Sequence, residues 1–67
     1  MQEYDVVRLK YATPTVPIAP GTKGAVLIVY PAQPPAYEVE FVDNKGESLG
    51  TYTVDEAQLE LVSTHPG

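Results

Sequence analysis

Apolar and polar residues alternate most cleanly over Tyr37-Glu38-Val39-Glu40-Phe41-Val42. Side chains of an extended chain point to opposite faces in turn. Tyr37, Val39 and Phe41 therefore share one face, and Glu38 and Glu40 the other. A shorter alternation runs through Val7-Arg8-Leu9-Lys10 and predicts a second half-buried strand, with Val6 out of phase and placed to cover an edge. Gly21-Thr22-Lys23-Gly24 is a two-glycine turn that feeds the apolar run Ala25-Val26-Leu27-Ile28-Val29-Tyr30. The run is rich in β-branched residues and too short for a typical helix, which predicts a buried strand. Pro31 ends it, because proline cannot donate to a ladder.

The segments between these runs carry turn chemistry. Tyr11 to Pro20 holds Pro14, Pro17 and Pro20 and reads as a long extended loop, and Pro31 to Ala36 as a second stiff one. Asp43-Asn44-Lys45-Gly46 is a turn with glycine last, so Leu49 to Val54 is expected to return as a hairpin partner. Gly50 in that return marks a bulge or bend. Asp55-Glu56-Ala57-Gln58-Leu59 reads as one helical turn, with Asp55 as N-cap and Gln58 three residues on, as in a capping box. A 3₁₀ turn that drops Leu59 into the core is expected, followed by a last short strand over Glu60-Leu61-Val62.

About five short strands, with one 3₁₀ turn before the last and no room for a sandwich, predict a small all-β, SH3-like barrel. Its expected core is Val7, Leu9, Val26, Val39, Phe41 and Leu59, with Tyr37 in phase with it. Residues 1–67 are read as one domain, ordered from about residue 3 to 62, with residues 63–67 as a frayed tail.

Composition narrows the partners. Nine acids face four bases, a net charge of −5. Nucleic acid is therefore disfavoured, since phosphate affinity comes largely from Lys and Arg, and so is an anionic membrane surface. A basic protein surface is the natural complement, although modest acidity also serves solubility alone. There is no cysteine, which removes disulfides and thiolate metal sites. The first residues are acidic rather than signal-like, and the longest apolar run is far short of a membrane span, so a cytoplasmic protein is expected.

Four segments, in their order and spacing, resemble the small bacterial proteins grouped as domain-of-unknown-function family 4926. They are Asp5-Val6-Val7-Arg8-Leu9, Gly21-Thr22-Lys23-Gly24-Ala25-Val26 through Val29-Tyr30, Tyr37-Glu38-Val39-Glu40-Phe41-Val42-Asp43, and Gln58-Leu59. The resemblance runs from Tyr4 to Val62. It implies an SH3-like fold and, for some members, the partner half of a two-gene antitoxin-like or immunity-like pair. The Gly-x-x-Gly-x-Val pattern is also similar to KOW-type modules of ribosomal and transcription proteins, and to small SH3-like subunits of photosynthetic electron-transfer complexes.

The residues support binding better than catalysis. Glu38 and Glu40 on one strand face, with Asp43 in the turn and Tyr11 at the mouth of the first loop, form the candidate partner-binding surface for Arg or Lys of another protein. The same two glutamates are also what an ordinary solvated sheet face presents. Tyr52 is a further aromatic free to sit at an edge. Pro14-Thr15-Val16-Pro17 and Pro31-Ala32-Gln33-Pro34 match PxxP, although loop stiffening accounts for their prolines. His65 is the only histidine and lies beside Pro66 in the tail. Gly21-Thr22-Lys23-Gly24 lacks the ending of a phosphate loop. Asp43, Asn44 and Glu47 do not complete a calcium set. No cofactor or metal is expected, and a non-catalytic protein-binding module is the reading, with a KOW-like nucleic-acid barrel or a structural subunit of a larger complex as alternatives.

Overall fold

Each alternating or apolar run of the sequence becomes a strand in the computed structural model, which describes residues 1–64. The elements are β1 (Val6–Leu9), β2 (Lys23–Tyr30), β3 (Ala36–Val42), β4 (Ser48–Asp55), a 3₁₀ turn (Glu56–Gln58) and β5 (Leu59–Ser63). All five strands join one antiparallel sheet in the order β4-β3-β2-β1-β5. The sheet wraps around a single core of Val7, Leu9, Val16, Ile18, Val26, Tyr37, Val39, Phe41, Val54 and Leu59. All six residues expected in the core are there, and Tyr37 with them.

A large core side chain dictates the tightest packing. Phe41 lies opposite Gly24 on β2 and opposite Gly50 on β4. A Cβ on Gly24 would sit 2.7 Å from Glu40 O and from Val39 Cγ1, and 3.1 Å from Phe41 Cδ1. Gly24 is thus a close-approach position, and no left-handed backbone is involved. Gly50 does have a positive φ, 122°, and it sits at the expected bulge, where the β3–β4 register shifts between Phe41 and Val42. Tyr52 then tilts against Phe41, with ring centroids 6.4 Å apart.

The turns follow their chemistry. Gly46 N–H donates to Asp43 O at 3.0 Å, closing the hairpin, and Asp43 Oδ1 accepts from the backbone of Lys45 (2.8 Å) and Glu47 (2.9 Å). At the 3₁₀ turn, Gln58 Oε1 accepts from Asp55 N–H at 3.3 Å, the return half of a capping box, and Leu59 is buried behind it.

Three expectations are corrected. Val6 covers no edge: β1 lies between β2 and β5, and Val6 pairs with both Ala25 and Ser63. The first loop is not merely a surface excursion. It doubles back through a Thr13–Val16 bridge and inserts Val16 and Ile18 into the core. The central apolar run is buried only in its first part, since Ile28, Val29 and Tyr30 are 47%, 37% and 37% exposed. The expected tail lies partly outside the described residues, and Ser63 within it is the last residue of β5.

Gly24→Ala is expected to destabilise the domain by about 1–3 kcal/mol, because the added methyl meets a backbone carbonyl that cannot rotate away. Phe41→Ala should cost about 3–5 kcal/mol, enough to abolish folding in a domain this small. Urea unfolding followed by circular dichroism measures both. An unchanged midpoint for Gly24→Ala would contradict the close approach.

Candidate functional site

The outer face of the sheet is built by register. Successive rows across β2, β3 and β4 are Ala25–Glu40–Thr51, Ile28–Glu38–Thr53 and Tyr30–Ala36–Asp55. Residues directly opposite in an antiparallel pair share a face. Glu38 and Glu40 are therefore brought together outside, as expected from the alternation, and each is half-buried by its neighbours. Glu38 is held in place: its Oε1 accepts from Thr53 Oγ1 at 2.7 Å and from Tyr30 Oη at 3.5 Å.

The other two candidates fall elsewhere. Asp43 lies five residues beyond Glu38, roughly 16 Å along an extended strand, and its carboxylate is committed to the hairpin turn. Tyr11 is 47% exposed, but it follows the Leu9 end of β1. That end adjoins Lys23, Val42 and the hairpin, away from Ile28 and Glu38. The four residues do not form one surface.

A cleft of about 580 Å³ opens at this hairpin end, between Pro20–Lys23 and Val42–Asn44 with Leu49 on its wall. Lys23 and Asp43 are its charged groups, and no histidine or cysteine lines it. Among the described residues, no group of three His, Cys, Asp or Glu side chains is placed to hold a metal. His65 lies outside the described residues.

The rows also assign the charges to places. Lys23 pairs with Arg8 and Lys45 is in the β3–β4 turn, where Asp43 and Glu47 accompany them. Lys10 follows Leu9, and its N–H donates to Gln58 O at 2.7 Å, which sets it beside the 3₁₀ turn of Glu56. Arg8 is taken by Glu60 across β1 and β5, at 3.4 Å. Glu38 and Asp55 lie toward the other end of the sheet. Glu3 joins them, adjoining Tyr4, whose N–H donates to Val26 O. Sequence totals count these charges but cannot assign them to ends.

Two buried polar residues escaped sequence reading. Asp5 is almost fully buried, and its Oδ2 accepts from Gln2 N–H at 2.8 Å. This ties the N-terminal segment under β2, where Val26 N–H donates to Asp5 O. Gln58 is buried too, and its Nε2 has no hydrogen-bond partner among the described residues. The inner face at the acidic end is closed by Tyr37, whose hydroxyl donates to Glu56 Oε1 at 3.0 Å. Burial raises the Tyr37 pKa, and the Glu56 hydrogen bond and the charges of Glu56 and Asp5 raise it further.

Small all-β domains with one continuous antiparallel sheet are the class that this fold defines. The chain belongs to domain-of-unknown-function family 4926, whose model matches residues 3–61. No curated protein and no solved structure matches it. No helix among the described residues is long and apolar enough to cross a membrane.

The raised Tyr37 value makes a pH prediction. A folded-state pKa above the unfolded value means that the neutral hydroxyl's contribution is complete below the ordinary tyrosine value of about 10. It is lost as pH rises through the raised value. In an ultraviolet absorbance titration, the five tyrosines should include a late-ionising component that Tyr37→Phe removes. Between about pH 10 and the raised value, the loss of stability should be shallower in Tyr37→Phe. A variant whose titration retains the late component would refute the assignment.

Proposed function

We propose that this protein is a non-catalytic binding module for a basic protein, seated on the outer face that carries Glu38 and Glu40. The observation that carries the reading is the placing of Glu38. It lies on a row of the outer face, Ile28–Glu38–Thr53, that holds no lysine or arginine, with Asp55 on the next row, whereas Glu40 lies one row from Lys23. Two strand-borne glutamates, one already oriented by Thr53 and Tyr30, are acceptors with little ordering left to do. The reading as an SH3-like barrel is supported by the strand order and by the 3₁₀ turn before β5. A cytoplasmic antitoxin-like or immunity-like partner of a basic protein is a role of this kind. The structure reduces the proposed surface from four residues to Glu38 and Glu40, because Asp43 builds its turn and Tyr11 lies at the far end.

The lysines of the hairpin end are the feature a KOW-like nucleic-acid reading would use. Three such charges support only weak, salt-sensitive phosphate binding. A structural subunit of a larger complex would instead show no affinity as an isolated domain.

Charge reversal tests the proposal against the partner that co-purifies from the native host. Glu38→Lys with Glu40→Lys should leave the domain folded, at a cost of at most about 1.5 kcal/mol for the lost Glu38 hydrogen bonds. Partner affinity at low salt should fall by at least about tenfold, equivalent to ~1.4 kcal/mol. Its dependence on ionic strength should flatten. Wild-type affinity in the double variant across salt concentrations would sink the proposal.

A further inference from the structure

The length mismatch between β1 and β2 leaves part of the central strand without a neighbour. β1 pairs only with Lys23, Gly24 and Ala25. The backbone bonds added by the preceding residues, from Tyr4 N–H to Val26 O and from Val26 N–H to Asp5 O, fall at Val26. At Leu27 the β2–β3 register slips, and from there to Tyr30 the only strand beside β2 among the described residues is β3. Ile28 and Tyr30 stand on the outer face, and Val29, opposite Tyr37, on the inner one. All three are substantially exposed. An exposed apolar strand edge is a template for another chain, and this one carries no lysine and no proline of its own to block it.

The surroundings say which chain. Glu38 lies directly across β3 from Ile28, Asp55 and Glu56 follow at the end of β4, and Glu3 adjoins Tyr4 on the β1 side. A second copy would bring no opposite charge to Glu38, its own Glu38 lying three strand spacings, roughly 14 Å, away. A basic chain would meet them with opposite charge. We propose that the free edge of β2 at Leu27–Tyr30 receives an extended segment of a basic partner protein, added as a strand, with apolar side chains packing beside Ile28, Val29 and Tyr30. This rests on the basic-partner reading above and gives it a binding mode: main-chain bonds and apolar contact supply affinity, and the acids select a basic sequence. About five or six residues of partner are enough to line such an edge.

The test uses the intact protein and three synthetic peptides of equal length and charge: four valines flanked by two arginines on each side (Arg-Val), four serines flanked in the same way (Arg-Ser), and Arg-Val with every second backbone nitrogen of its valine segment methylated. Titration by fluorescence anisotropy should show Arg-Val binding at least about tenfold tighter than Arg-Ser, and the methylated peptide should lose this advantage. Ile28→Thr with Tyr30→Thr leaves residues of high strand propensity at both exposed positions and should abolish the preference; Ile28→Thr alone should halve it or more and serves if the double variant does not fold. Equal binding of Arg-Val and Arg-Ser overturns this inference and leaves the basic-partner reading standing. Absence of binding to any of the cationic peptides overturns that reading itself. A preference that survives in the folded Ile28 variants, or in the methylated peptide, overturns the assignment to this edge. So does concentration-dependent dimerisation that the same variants remove, since the occupant is then a second copy.

Discussion

One phenylalanine between two glycines sets the geometry of this domain. Phe41 projects into the core from β3, and the residues beside it in the sheet, Gly24 and Gly50, have no side chains to compete for the space. β2 can then approach until the place of a Gly24 Cβ is already taken by the β3 backbone. On the other side, the bulge at Gly50 lets β4 bend and brings Tyr52 over the ring. Glycine normally weakens a strand, and an aromatic neighbour that fills the gap offsets the loss. In a domain with so little core, curvature must be sharp, and side-chain size along this one row is what produces it.

Much of this was legible because it is local. The alternation over Tyr37–Val42 identifies its buried face without knowledge of any neighbour. The hairpin turn and the 3₁₀ turn follow from residues within four positions of each other. What was not legible depends on pairing. The run Ala25–Tyr30 looks uniformly suited to burial, but its exposure is decided by where β1 stops, and nothing in the run itself records that. Val16 and Ile18 alternate around Pro17, a pattern of core residues hidden by the prolines that mark the segment as loop. Glycine at position 24 was read as a turn residue, whereas the reason for it lies across the sheet at Glu40.

The candidate site divides along the same line. Glu38 and Glu40 were placed together by strand periodicity, which is reliable over two residues. Adding Asp43 and Tyr11 required knowing which end of the sheet each occupies. Asp43 also has a local use that outweighs any surface role, since aspartate at the start of a turn accepts from the backbone just ahead of it. The placing of Glu38 on a row without lysine or arginine is likewise a product of register. It sets a carboxylate beside the least covered part of the central strand.

The pairing of β1 with β5 carries a further consequence, for the order of assembly. Arg8 and Glu60 are 52 positions apart in the chain and adjacent in the sheet. The meander from β2 through β4 needs only short closures and can form as a unit, whereas β1 stays without its second neighbour until the last strand arrives. A chain made from its N-terminus on the ribosome therefore carries Val7 and Leu9 incompletely covered until β5 has emerged, and only then is the five-stranded sheet complete. Such distant pairing raises contact order and slows folding relative to a helical domain of equal length. The first strand to be made is among the last to be completed.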